Sequence, residues 1–406
     1  MSPSTATSIS PSGAIGARED LRERRTGRSL RLPLDPALTF AVLGLGACSL
    51  VTLGVATRNI VPGQPDYYVN RQATYLVVGV VCMLALSRLD YGRLRQFKNA
   101  IYGLLIFSVL AVFALGHAAN GAQRAISLPF FSFQASELGK VLLTLALAAL
   151  IVDRARALRE RETTARVLMA ALVPAMLVVA QPDLGSGMVY MVIAFTMLLV
   201  AGTPWRQLAA IAALVIVSIT LVLGVAPLGG VHLLKPYQEE RLTAFLHPSN
   251  DPQKAGYQQQ ESKIAIGSGQ KTGGGHGAPY IRLNFVPEAD TDFVFAAVGE
   301  QYGFVGAALV LGLYALLISR ALRILVMAKD LFGSLVAAGV AAMLMFQVFV
   351  NVGMTIGIMP ITGITLPLMS YGGSSVITTL LAAGLLQSIY ARARASAALK
   401  GRVPLY

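Results

Sequence analysis

The sequence predicts an all-α, polytopic membrane protein of about ten transmembrane helices. One large extracellular loop and a re-entrant element before the last helix are expected to interrupt the bundle. Three observations carry this reading. Of 406 residues, 55% are hydrophobic and only 13% charged, and the mean hydropathy is +0.63. Apolar runs of about 20 residues recur along the chain, each long enough to cross the hydrocarbon core as a helix. Most of the 33 Lys and Arg gather on alternating connections between those runs, the positive-inside pattern. A formal charge of +13 would also suit a nucleic-acid binder. Its placement instead records topology against anionic membrane lipid, and no nucleic-acid partner is expected.

Residues 1–33, rich in Ser, Gly and Arg and without apolar periodicity, read as a disordered basic cytoplasmic tail. No short apolar core with a small-residue cleavage site marks a signal peptide. A transmembrane domain follows over 34–393 and a cytoplasmic tail over 394–406. Spans are expected at roughly 37–57, 72–88, 99–116, 134–153, 167–180, 187–202, 207–227, 292–319, 332–357 and 373–392. An even number returns both termini to the cytoplasmic side of the cell membrane, which suits Arg392, Arg394, Lys400 and Arg402 at the end. Cys48 and Cys82 fall inside apolar runs and read as small buried hydrophobes rather than a disulfide. His117, His232, His247 and His276 fall in outward connections at no metal-ligand spacing, so no structural metal is expected.

The connection over 228–290 is too long to be without structure or function of its own. Its middle, GYQQQESKIAIGSG, has helix formers enough for a short amphipathic segment at the membrane interface. The following GSGQKTGGGHG can approach a neighbour closely or hinge. Lys235 and Arg241, near the loop's start, are phosphate candidates or simply solvated charges.

Polar groups at membrane depth are costly and by default mark a site. In PEADTDFVFAAVGEQYG (residues 287–303), Asp290 and Asp292 stand where a polar loop becomes an apolar helix. They either face a cavity or cap the helix start. Glu300 lies two turns further in. In NGAQRAISLPFFSFQASELGK (120–140), Glu137 and Lys140 share a helical face at i,i+3 and can neutralise one another, whether for structure or for a site. Arg124 before them is a fork-shaped donor suited to phosphate. Asp183 in QPDLGSG is a site carboxylate or a turn residue. In NVGMTIGIMPITGITLPLMSYGGSS (351–375), Pro360 and Pro367 break any helix, and such irregular backbone is tolerated at depth only beside protein or a cavity. Ser370, Tyr371, Ser374 and Ser375 are its neutral donors.

Together these stretches resemble the SEDS family (shape, elongation, division and sporulation) of bacterial cell-wall polymerases, over about residues 35–393. NGAQR with QxSELxK, QPDLG, LKPYQ, FLHPxNDP, AIGSG, PExxTDFxF and PLMSYGGSS occur in the family's order. LLKPYQEERLTAFLHPSNDPQKAGY and the 351–375 stretch fit the elongation branch, RodA, better than the division branch, FtsW. The resemblance implies a ten-span glycosyltransferase that polymerises lipid II into glycan strands beside a class B penicillin-binding protein. It also implies a catalytic role for Asp292 and cavity positions for Arg124, Glu137, Lys140, Asp183 and Glu288. The chain departs from the family at Asp290 (usually His), Ala125 (usually Trp), Ala135 (usually Pro), and at Gly273–Gly275, where GKG is usual. Two carboxylates at 290 and 292 raise each other's proton affinity if they are close.

The chemistry implied is inversion at an α-linked anomeric carbon to make a β-1,4 bond. One direct displacement suffices, with a carboxylate taking the proton of the attacking hydroxyl, by analogy with inverting glycoside chemistry. Arg124 and Lys140, or a divalent cation such as Mg2+, would stabilise the leaving pyrophosphate. Competing readings are a lipid II flippase, which needs broken helices in both halves, and a scaffold in which the acidic cluster is incidental.

Overall fold

The computed structural model describes residues 33–58, 60–115, 117–119, 122–127, 132–221, 255–282 and 285–399. The first span, α1 (Pro36–Ala56), begins at Asp35. The Asp35 carboxylate accepts the N–H groups of Ala37 and Leu38 at 3.0 Å each, and Pro36 sits where no N–H is needed. Then come α2 (Tyr67–Arg88) and α3 (Tyr91–Leu115), the latter with one 3-10 turn at Arg95–Phe97. The helices α4 (Ala135–Asp153), α5 (Arg161–Ala180), α6 (Leu184–Val200) and α7 (Trp205–Thr220) follow. After the long loop come α8 (Ala255–Ser268) and the single turn α9 (Pro279–Arg282). The chain closes with α10 (Val294–Met327), α11 (Leu331–Ile356) and α12 (Gly373–Leu399).

Eight of these are long and apolar enough to cross a membrane, and α6 and α7 are shorter apolar helices, so the ten expected spans each have a counterpart. Most spans start earlier or end later than hydropathy suggests, as at α3, which begins at Tyr91, and α10, which continues to Met327. Amphipathic ends carrying Tyr67, Arg71, Arg320 and Arg323 dilute hydropathy without breaking the helix. Cys48 and Cys82 are free thiols, as expected.

α4, α11 and α12 form the buried centre, whereas α2 and α3 expose most of their apolar length. Leu143, Leu147, Leu335, Val336, Leu385 and Leu386 are fully buried there, and α12 packs along α2 and α4 while α10 packs along α1 and α11. One end of the bundle is closed by a polar lock. Asp35, 0% exposed, pairs with Arg320 of α10, and Gln387 of α12 both accepts the Asp35 N–H at 2.7 Å and donates to its carbonyl at 3.1 Å.

Two features add to the expectation. A three-stranded antiparallel sheet, β1 (His117–Ala119), β2 (Ala122–Ser127) and β3 (Ser132–Phe133), lies between α3 and α4. Strands this short carry too few residues to show alternation. The helix foreseen in the long loop exists as α8, and its buried side carries Gln259 and Ser262 beside Ala265. Gln259 donates to the Met354 and Met359 carbonyls at 3.3 and 3.0 Å, and Ser262 donates to Thr355 at 2.9 Å. α11 ends at Gly357, φ 84°, and the last carbonyls of a helix lack the full set of helical partners. α8 is thereby fastened to the end of α11.

Candidate active site

The turn before α10 is fixed by its backbone. The Asp290 carbonyl accepts the Tyr371 N–H at 2.7 Å, the Thr291 carbonyl accepts the Ser370 hydroxyl at 2.5 Å, and the Asp292 carbonyl accepts the Asn351 side-chain amide at 2.9 Å. Three consecutive carbonyls are thus held by three groups of the irregular segment 357–372 and the end of α11. Ser370, 1% exposed, also accepts the Leu366 N–H at 2.8 Å, and Asn351 donates to Ile364 at 2.7 Å. The interrupted backbone that Pro360 and Pro367 predict is therefore a mould for the acidic turn. The Asp290 and Asp292 side chains themselves stay half-buried. Neither is the cap of α10: that position is Phe293, which provides no side-chain bond.

Strain marks the same place. Glu288 and Leu368 take positive φ, 56° and 67°, which a non-glycine side chain rarely adopts. The exposed Glu288 carboxylate accepts the Thr291 hydroxyl at 2.8 Å, and its carbonyl accepts the Thr291 and Phe293 N–H groups. Burial raises the Asp290 pKa above the ordinary carboxylate range, partly opposed by its own backbone N–H, and Glu288 adds to the rise.

The same irregular segment reaches α4 and α6. Ser374, one turn on from Ser370, donates to the Ser132 carbonyl at 2.7 Å and accepts the Gln134 N–H at 2.9 Å. Ser375 shares a 3.0 Å hydrogen bond with Thr365. Asp183, 7% exposed, caps α6 by accepting the Ser186 N–H at 3.0 Å, and its second oxygen accepts the Ser136 hydroxyl at 2.8 Å. Its turn role and its link to α4 coexist. Next to Ser136, Glu137 and Lys140 form a 2.5 Å ion pair, 4% and 1% exposed.

Sequence reasoning missed Asn351 and an aromatic group at the start of α2. The Tyr371 ring meets Tyr68 edge-on at 4.8 Å, its hydroxyl bonds Arg71, and the Arg71 guanidinium lies 4.9 Å over Tyr67. A lone Asn inside an apolar helix and a Tyr-Tyr-Arg cluster at a helix mouth were the signals available. Arg124 lies on β2, its side chain not among those described, and Lys235 and Arg241 lie outside the described residues. Among the described residues no three His, Cys, Asp or Glu side chains gather as a metal-holding group.

The comparisons bear on this geometry. The FTSW_RODA_SPOVE family profile, described as a cell cycle protein, matches residues 34–395. The chain is 36% identical over 382 residues to the probable peptidoglycan glycosyltransferase FtsW of Thioalkalivibrio sulfidiphilus, covering 91% of this chain and 93% of that one. It is 36% identical over 388 residues to the peptidoglycan glycosyltransferase RodA of Treponema pallidum, covering 79% and 89%. Among solved structures, one described as the structural coordination of polymerization and crosslinking by a peptidoglycan synthase complex superposes with a TM-score of 0.73 at 34% identity, over 89% of this chain and 98% of that chain.

Proposed function

Because the chain belongs to the FtsW/RodA/SpoVE family, we propose that it is a peptidoglycan glycosyltransferase that polymerises lipid II into β-1,4 glycan strands during cell elongation. The elongation role leans on the motif pattern of the long loop and on the RodA relative. Its domain is 34–393 between a basic cytoplasmic tail at 1–33 and a second cytoplasmic tail at 394–406, in the bacterial cell membrane, with the long loop outside.

Asp292 is the general base. The observation that carries this is the division of labour in the acidic turn. Its three peptide carbonyls are occupied in holding the turn, and a half-buried carboxylate stands at the mouth of α10. It takes the proton of the attacking 4-hydroxyl as the anomeric carbon inverts. Arg124, Lys140 and Glu137, Asp183 and Glu288 belong to the cavity for the headgroup, with Ser370, Tyr371 and Ser374 shaping it. The leaving pyrophosphate needs positive charge rather than an acid, and Arg124 is assigned to it, joined by Arg71, while Lys140, buried in its pair with Glu137, supports the cavity wall. The described side chains do not gather into a cation site of their own, so no step is routed through Mg2+.

The partner is a class B penicillin-binding protein, in keeping with the polymerization-and-crosslinking complex this fold resembles. A flippase would pair broken helices across two halves, whereas the kink at Gly303 and the 357–372 segment both lie in the second half.

The test is glycan formation from lipid II in proteoliposomes that also contain the penicillin-binding protein. Asp292→Asn keeps the shape of the side chain but cannot take the proton, so the rate should fall by about 10²–10⁴ with thermal stability unchanged. A stable Asp292→Asn protein that polymerises near the wild-type rate rejects the assignment.

A further inference from the structure

Glu300 is a carboxylate inside α10, 1% exposed, for which the proposed chemistry has no use. Its two oxygens accept separate backbone N–H groups of α9, Tyr280 at 2.7 Å and Ile281 at 2.9 Å. Its own carbonyl accepts the Gly274 N–H at 2.9 Å. Three residues on, Gly303 leaves helical geometry at φ 61°, ψ −156°. The N–H groups of Phe304 and Val305 beyond this kink donate instead to Gln270 and Lys271, at 2.9 and 3.1 Å. The glycine-rich stretch of the long loop therefore lies directly on the kinked backbone. A Cβ at Gly273 would stand 2.2 Å from the Gln301 carbonyl oxygen, and Gly273 itself has φ 82°, so the close approach needs glycine there.

α9 in turn packs against the acidic turn. Ile281, 3% exposed, shares a small apolar cluster with Val286, Ala289 and Phe293. Those residues flank Glu288, Asp290 and Asp292 on both sides.

We propose that Glu300 is a positioning residue. It latches α9 and the glycine stretch onto α10, and through the Ile281–Phe293 cluster it sets where Asp292 stands. This rests on the reading of Asp292 as general base. Two N–H groups converging on two oxygens require a side chain that only accepts. Glutamine would turn its own amide hydrogens toward one of those donors.

The experiment compares the full chain with its Glu300→Gln variant in nanodiscs, by amide hydrogen exchange and by lipid II polymerisation with the penicillin-binding protein present. In the wild type, the Tyr280 and Ile281 amides should exchange at least tenfold slower than unprotected backbone. In Glu300→Gln, exchange over 279–293 should speed up at least tenfold, kcat should fall at least tenfold, and KM for lipid II should change less than threefold. Unchanged exchange in the variant overturns the latch, whatever happens to the rate. Faster exchange with full kcat overturns the link to Asp292. If the variant does not fold, the wild type decides alone: unprotected Tyr280 and Ile281 amides reject the proposal. The exchange result does not depend on Asp292, so failure of the general-base assignment, seen as an active Asp292→Asn, is distinguishable from failure of the latch.

Discussion

Lys140→Ala should be among the most damaging single substitutions in the bundle. The Lys140 ammonium and the Glu137 carboxylate stand 2.5 Å apart at 1% and 4% exposure. Deleting the ammonium leaves a carboxylate that water does not reach. Breaking a buried pair from one side costs about 3–5 kcal/mol, far more than the pair itself contributes over an apolar substitute. Glu137→Ala should cost a similar amount for the mirror reason. The double variant loses both charges at once, so only the lost methylene packing and the cavity remain. Its cost should fall short of the sum of the singles by about 2–3 kcal/mol. The assay is unfolding of the purified protein in mixed micelles titrated with dodecyl sulfate, for wild type, both singles and the double variant. Strict additivity, within about 0.5 kcal/mol, would show that the charges are not coupled and would refute the reasoning.

Two further outcomes are expected. Burial and the neighbouring Glu288 hold Asp290 protonated to higher pH than a free aspartate. The stability it contributes is full below the ordinary carboxylate range and is lost as pH rises through its raised folded value. Asp290→Asn should therefore match wild type at low pH and melt higher at neutral pH, and parallel melting-temperature profiles would contradict this. With Cys48 and Cys82 replaced, a cysteine introduced as Gln260→Cys, on the exposed side of α8, should react with an impermeant thiol reagent added to intact cells. Reaction only after the membrane is opened would invert the proposed orientation.

The ten-span architecture was legible because its signal is redundant. Each span repeats the same apolar composition, which identifies a membrane-crossing helix without any knowledge of packing. The unread parts of the fold are those where a polar group satisfies a backbone group. α8 looked like an interfacial amphipathic helix because Gln259 and Ser262 count as polar in any hydropathy pattern. In the fold they face inward, onto the Met354 and Thr355 carbonyls at the end of α11. The kink at Gly303 was equally silent. One glycine within an apolar helix is ordinarily tolerated, and only the Gln270 and Lys271 carbonyls make the break affordable.

The same asymmetry decides what could be read of the site. Glu137 and Lys140 announced themselves because both partners are side chains on one helix, at a spacing that geometry fixes in advance. Ser370 and Thr291 are 79 residues apart, and Asn351 and Asp292 are 59 apart. In each case the acceptor is a peptide carbonyl, which every residue carries. Such a contact leaves no complementary residue type at its far end, so no spacing rule in a single sequence can find it. The Tyr371 N–H to Asp290 carbonyl bond is invisible from both ends. The acidic turn could therefore be recognised by its carboxylates, while the mould that holds it could be recognised only as broken helix. Its strain agrees with that division: Glu288 and Leu368, both at positive φ, sit on opposite sides of the same set of bonds. An unfavourable backbone conformation on each side persists only where the contacts between them over-determine it. The bonds from Ser370, Asn351 and Tyr371 are those contacts. The position of Asp292 is consequently a property of segments 288–293 and 351–371 together, rather than of either motif alone.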